Sequence, residues 1–206
     1  MPESKIHYIN VIYAIIISFW FFYFFLHSFL ADAKVKHYIY HKIRGIEKWY
    51  RLIYNIIAMT GLLAMVYLSS QITDQVFQAG LLTSVLGWLM VGAGGFIMFL
   101  SARTFDLPEF IGIKPFRNQQ VGASDSGLIH TGLYAYVRHP LYSGTLLFTL
   151  GWFLVYPIEA IAVFLVCMMV YLPVGIFYEE KKLLKEFGDD YRNYCKRVSR
   201  LIPGIY

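Results

Sequence analysis

RHPLYSGTLLFTLGWFLVYPIEAIAVFLVCMMVYLPVGIFYEE, from Arg138 to Glu180, decides the fold. It holds two apolar runs, Leu141 to Tyr156 and Ile158 to Tyr178, separated only by Pro157 and its neighbours. That leaves too little chain for anything but a tight antiparallel hairpin. A bilayer core about 30 Å thick takes about 20 helical residues to cross. The second run meets that length, the first is short, and Pro173 with Gly175 predicts a kink near the end of the second. A hairpin that crosses and returns brings Arg138-His139 and Glu179-Glu180 to one membrane face at similar depth. Pro140 suits the first turn of a helix, whose free amides favour an anion. Arg138 adds a planar fork matched to a carboxylate. Glu179 and Glu180 offer acceptors to an ammonium, a ribose hydroxyl or Arg138 itself. Such a cluster can hold a small zwitterion. It can equally be a structural Arg–Glu tie between the hairpin ends, and spacing alone does not choose.

Outward from this hairpin, the whole chain has the character of a membrane protein. Of 206 residues, 58% are hydrophobic and 18% aromatic, with 17 Tyr and 17 Phe, more apolar surface than a soluble domain of this size carries. Three further runs fit a bilayer: Ile9 to Leu30, Tyr50 to Ser70 and Leu81 to Ser101. The expected fold class is therefore all-α integral membrane, with five transmembrane helices, a carboxy-terminal helical hairpin and a cytosolic amphipathic tail helix. The first run is expected to be a retained span rather than a signal peptide, because no cleavage pattern follows it. The net charge of +5 sits between the runs. Lys34, Lys36, Lys42, Arg44 and Lys48 precede span two. Arg103, Lys114, Arg117 and Arg138 precede span four, and seven further Lys and Arg residues follow span five. The loop from Gln71 to Gly80 and the turn at Pro157 have none. The alternation predicts an outside amino terminus and a cytosolic carboxy terminus, in the inner membrane if the cell is bacterial. Those cations are expected to set topology and touch lipid headgroups, so nucleic acid is not an expected partner.

The chain is expected to form a single membrane domain over residues 1–206. Residues 1–101 make a three-span bundle on the substrate side, 102–130 a cytosolic loop, and 131–206 a cofactor-binding hairpin and tail. In span three, Gly87, Gly92, Gly94 and Gly95 predict close helix packing. In the tail, Leu183, Leu184, Phe187, Tyr191 and Tyr194 recur at helical spacing, weakened by Gly188. That helix is expected to fold back over the cytosolic face. Pro108 bars a regular span over Phe105 to Phe116, which with Asp106 and Glu109 is either an interfacial piece or an exposed loop.

The pattern Gly132-x-Tyr134-x-x-x-Arg138-His139-Pro140-x-Tyr142-x-Gly144, then Glu179-Glu180-x-x-Leu183, Phe187-Gly188-x-x-Tyr191-x-x-Tyr194 and Arg200-x-x-Pro203, resembles the isoprenylcysteine carboxyl methyltransferase superfamily. That group includes phospholipid N-methyltransferases and methanethiol S-methyltransferases. The likeness covers Thr131 to Pro203, about a third of the chain. It implies an enzyme dependent on S-adenosyl-L-methionine. Gly132, Leu133, Tyr134, His139, Pro140 and Tyr142 would line the cofactor site, with Glu179 and Glu180 at its polar end. Arg138 would orient the pocket or the substrate, and Arg138 and Glu180 are the implied catalytic candidates. The implied reaction is methyl transfer to a small or lipophilic thiol, carboxylate or amine at the cytosolic face. The donor arrives from water and the acceptor from the bilayer.

Leu26-His27-Ser28-Phe-Leu-Ala31, Lys34-x-Lys36 and Tyr50-Arg51-Leu-Ile-Tyr54-Asn55 look like the first half of methanethiol methyltransferases and of proteins related to zeta-carotene isomerases. His27 lies at the cytosolic end of span one, where an ionisable side chain is costly enough to be a suspect. It is a third catalytic candidate, or an interfacial histidine bonded to the backbone. Arg51 and Asn55 more naturally pair with Glu47 or a lipid phosphate. His37 and His41 have i, i+4 spacing but no third ligand, so no metal is expected. Cys167 and Cys195 form no metal or redox spacing. Two other classes compete: a haem-dependent membrane isomerase or haem-associated protein, suggested by the His27 region, and a non-enzymatic membrane scaffold.

Overall fold

The computed structural model describes residues 3–104, 112–113 and 127–205, with side chains from Asn10 onward. The Phe105-to-Phe116 expectation, including Asp106 and Glu109, otherwise falls outside the described residues, as does most of the 102–130 loop. The described chain is helical. Helix α1 spans Glu3–Ala31, α2 Ala33–Lys42, α3 Glu47–Ser69 and α4 Leu81–Ala102. A 3₁₀ turn over Gly132–Ala135 precedes α5, Pro140–Val155, and α6, Glu159–Arg197. Only isolated β-bridges occur among the described residues.

Among the described residues, four helices are long and apolar enough to cross a membrane: α1 over Asn10–Ala31, then α3, α4 and α6. The apolar α5 has 16 residues and falls below that length. The chain is a multi-pass membrane protein. The long apolar runs explain why helices form here, since in hydrocarbon every backbone polar group must be satisfied within the segment.

One face of α1 packs on α3 and α6. Trp20, 1% exposed, sits at the centre with Phe24, Met65, Leu165, Met168 and Leu172 around it. Its indole Nε1 donates to Ser69 Oγ at 3.1 Å, which satisfies both polar groups in an apolar setting. Helix α4 lies against α5 through glycines. A Cβ built on Gly94 would stand 2.5 Å from the Phe148 amide nitrogen, and one on Gly87 2.8 Å from the Gly151 carbonyl oxygen. Of the four span-three glycines, Gly87 and Gly94 make the contact. Gly92 faces open space, and a Cβ on Gly95 would meet only the Phe148 ring at 4.0 Å.

Helix α2 was not anticipated from the apolar pattern. The Asp32 carboxylate accepts from the amides of Lys34 and Val35 and starts it. The Tyr40 and Tyr50 rings meet edge to face across α2 and α3, and the Tyr50 hydroxyl donates to the Leu30 carbonyl at 2.7 Å. In α6 the break differs from the expected one. Gly188, at φ 54° and ψ −122°, alone leaves helical geometry, while the helix runs on through Pro173. Only glycine adopts that backbone conformation without strain.

The lysine-free connections gather at one end of the molecule. The Val76 amide donates to the Pro157 carbonyl at 2.8 Å, and the Glu159 amide to the Asp74 carbonyl at 3.0 Å. The other ends of α5 and α6 meet at the candidate site.

Candidate active site at the mouth of the last hairpin

The start of α5 is fixed from two sides. His139 is its N-cap and Pro140 its first helical residue. The preceding segment is held by the chain after α6. Val137 and Ser199 form a parallel bridge, the Arg138 amide donates to the Ser199 carbonyl at 2.8 Å, and the His139 amide to the Arg200 carbonyl at 3.1 Å. Ser143 Oγ donates to the Leu201 carbonyl at 2.6 Å. The Tyr194 hydroxyl donates to the Tyr134 carbonyl at 2.6 Å. The tail thus returns across the hairpin mouth as a strap.

Arg138, 8% exposed, is the knot of this strap. Its Nε donates to Glu180 Oε1 at 2.9 Å and its Nη2 stands 2.8 Å from the same oxygen. Nη1 donates to the Cys195 carbonyl at 3.0 Å and the Val198 carbonyl at 2.6 Å. A guanidinium has five N–H donors, and four of these contacts serve the protein itself. The structural Arg–Glu tie therefore exists, and Arg138 acts by holding Glu180 and the tail.

His139 lies between the two carboxylates. Its Nε2 is 3.4 Å from Glu180 Oε1 and its Nδ1 3.5 Å from Glu179 Oε2, while its ring stacks on Tyr142 with centroids 5.5 Å apart. Arg200 Nη2 reaches Glu180 Oε2 at 3.2 Å from the solvent side. An apolar crossing begun at Glu159 is complete at about Tyr178, so Glu179 and Glu180 lie past the span. Burial works to lower the His139 pKa, but the adjoining carboxylates, Glu179 first and then Glu180, hold it above 6.5. Burial works to raise Glu180. The His139 hydrogen bond and the nearby Arg138 and Arg200 overcome it and hold the carboxyl at about 2. Tyr134 is pushed up to about 12 by burial and by the Glu179 charge.

Glu179 is less completely satisfied. Its Oε2 is buried yet has no hydrogen-bond partner among the described residues, with His139 only at the limit of contact. A buried carboxylate oxygen left in this condition is costly, and a ligand ammonium would relieve it.

Arg138, His139, Pro140, Tyr142, Glu179 and Glu180 thus come together, with Gly132, Leu133 and Tyr134 on the turn just before. Gly132 is exposed and needs its positive φ of 62°. His27 lies elsewhere, between α1 and α3, with the Tyr54 hydroxyl 3.1 Å from its ring nitrogens. Sequence reasoning gave no role to Arg200, or to the Cys195 and Val198 carbonyls. The Arg200-x-x-Pro203 signature was the available signal for the first, whereas a carbonyl acceptor leaves no mark in a side-chain pattern.

Fold and site together define a helical multi-pass membrane protein with a paired-carboxylate, arginine and histidine cluster at the mouth of its last hairpin. Residues 82–190, just over half of the chain, match the Phospholipid methyltransferase family model, and the chain belongs to that family. It is 34% identical to methanethiol S-methyltransferase 1 of Bradyrhizobium diazoefficiens over 113 residues, 54% of this chain and 39% of that protein. Over 77 residues it is 44% identical to the methanethiol S-methyltransferase of Crocosphaera subtropica, covering 35% of this chain and 28% of that one. Over 80 residues it is 40% identical to protein-S-isoprenylcysteine O-methyltransferase B of Arabidopsis thaliana, 38% of this chain and 40% of that protein. The chain therefore spans between about a quarter and two-fifths of the length of these relatives. No solved structure matches it.

Proposed function

We propose that the protein transfers a methyl group from S-adenosyl-L-methionine to a small or lipophilic acceptor at the cytosolic face of the membrane. The observation that carries this reading is Glu179 Oε2, a buried carboxylate oxygen without a hydrogen-bond partner among the described residues. It stands beside a second carboxylate whose charge is already matched by Arg138 and Arg200. An α-ammonium group fits the first, and Glu180 stays ionised to support it. The donor, when bound, supplies an electrophilic methyl on a positively charged sulfur. Gly132, Leu133, Tyr134, His139, Pro140 and Tyr142 line its site in this reading, with Glu179 and Glu180 at the polar end. Arg138 orients Glu180 and ties down the tail. The tail strap excludes water, and alignment with water exclusion is most of what an in-line displacement asks of a protein.

The acceptor enters from the bilayer side, where residues 1–101 form the substrate bundle and 131–206 the cofactor unit. Relatives named for methanethiol and isoprenylcysteine support a thiol or another lipophilic nucleophile. In this arrangement α5 is the fifth span. It is about 24 Å long at 1.5 Å per residue, and a short span is accommodated at modest cost, here beside α4. The lysine-free connections at 71–80 and 157 face outward, and the basic loops and tail lie in the cytosol.

The test is transfer of tritiated methyl from S-adenosyl-L-methionine by the purified, reconstituted protein. The acceptors are an alkanethiol, a prenylated cysteine and phosphatidylethanolamine. Label in the extract of at least one supports the reading, and no label in any of the three contradicts it.

A further inference from the structure

His27 is held in an unusual way. An imidazole nitrogen bonds along its in-plane direction, and the two nitrogens of one ring point apart. The Tyr54 hydroxyl is 3.1 Å from Nδ1 and 3.1 Å from Nε2. An oxygen equidistant from both lies along neither direction, so it rests over the ring rather than at either nitrogen. Tyr23 stacks on the same imidazole, with centroids 6.1 Å apart and planes 26° from parallel. Tyr23 and Tyr54 thus both bear on the imidazole ring. In-plane bonds to its nitrogens from other side chains are absent among the described residues. Next along α1, Ser28 Oγ bonds the Tyr171 hydroxyl of α6, and Phe24 stacks on Tyr171 at 4.5 Å. Tyr171 lies on α6 about two helical turns before Glu179. These contacts tie the His27 region of α1 to the helix that carries the two carboxylates.

We propose that His27 is a catalytic residue on the acceptor side of the methyl-transfer site, and that it accepts the proton of a thiol arriving from the bilayer. The inference rests on the function proposed above. An ionised carboxylate needs no such group, whereas a thiol in a low-dielectric setting stays protonated because the charged form is disfavoured there. As the acceptor sulfur bonds to the methyl carbon, its proton passes to a His27 ring nitrogen. The carbon–sulfur bond of the sulfonium donor breaks, and its electron pair stays on the donor sulfur, which becomes a neutral thioether. Tyr54 and Tyr23, which contact the ring, are positioning residues. The titratable groups facing His27 are Tyr23 from α1, Tyr54 from α3 and Tyr171 by way of Ser28 from α6. No charged group among the described residues acts on it.

The experiment uses the full chain in detergent, with 1-octanethiol and octanoate as acceptors and S-adenosylhomocysteine affinity as the control for an intact donor site. In the wild type, the thiol rate should already be near its plateau below the ionisation of free octanethiol, which as an alkanethiol lies above the roughly 8.5 of a cysteine. His27→Gln should lower thiol transfer on the order of a hundredfold and leave S-adenosylhomocysteine affinity unchanged. It should also move the profile upward, so that the rate climbs with thiolate concentration. Tyr54→Phe should give the same shift in smaller measure. A wild-type rate that itself climbs about tenfold per pH unit up to the free-thiol ionisation overturns the inference without any variant. Transfer to octanoate but not octanethiol, an unchanged profile in His27→Gln, or a haem Soret band in the purified protein overturns it too. Loss of S-adenosylhomocysteine binding in the wild type sinks the proposed function instead, which keeps the two failures apart.

Discussion

Arg138 shows how one side chain decides between structure and chemistry. Its bonds go to Glu180 and to two carbonyls of the tail, so removing it strands a buried carboxylate and those carbonyls at once. Arg138→Ala should cost roughly 3–5 kcal/mol, read as a lower melting temperature in detergent. Arg138→Lys should recover little of it, since an ammonium cannot reproduce the fork. Acid and base should strain the same cluster from opposite sides. The Glu180 pKa is depressed, so its stabilisation is present above 4.5 and lost as pH falls from there towards about 2. The His139 pKa is raised, so its stabilisation is present below 6.5 and lost as pH climbs through the folded value. Thermal melts should therefore show both contributions intact between 4.5 and 6.5, and His139→Gln should remove the alkaline fall while leaving the acid one. These partners were half legible beforehand. Opposite charges at the two ends of a hairpin must meet, which the order of residues dictates. That the Cys195 and Val198 carbonyls complete the arginine's shell depends on where the tail returns, and no side-chain pattern records it.

Among the elements, two glycine sites carry sharp expectations. Gly94 lets α4 and α5 touch backbone to backbone. Gly94→Ala should force the pair apart at a cost of about 1–3 kcal/mol, seen as a lower melting temperature. Gly92→Ala, in open space, should be close to neutral. Gly188 has room around it but stands in a backbone region closed to other residues. Gly188→Ala should thus strain the turn by roughly 1–3 kcal/mol, and limited proteolysis should cut the tail faster than in wild type. The long apolar runs were readable because hydropathy over about 20 residues is a strong signal. Helix α2 was hidden because its polar residues mask a capped interfacial turn. The break at Gly188 rather than Pro173 shows the limit of composition: a helix absorbs a proline with its dihedrals intact, whereas a reversal at positive φ needs glycine.

At the scale of the molecule, the hairpin brings together groups some forty residues apart and leaves one Glu179 oxygen without a hydrogen bond, with His139 at the limit of contact. The family and the general site were legible from Gly132 to Pro203, because motif residues on both ends of one hairpin converge whatever the loops do. The acceptor side was not, since His27 and Tyr54 belong to different helices and their relation exists only in the folded bundle. The central claim is that the Arg138–Tyr142 and Glu179–Glu180 segments form a donor site. Isothermal calorimetry of S-adenosylhomocysteine with the purified protein and its Glu179→Gln and Glu180→Gln variants tests it most directly. The account predicts saturable wild-type binding at one site, at least about tenfold weaker in each variant, a loss of about 1.4 kcal/mol or more. No wild-type binding, or equal affinity in all three proteins, would contradict it.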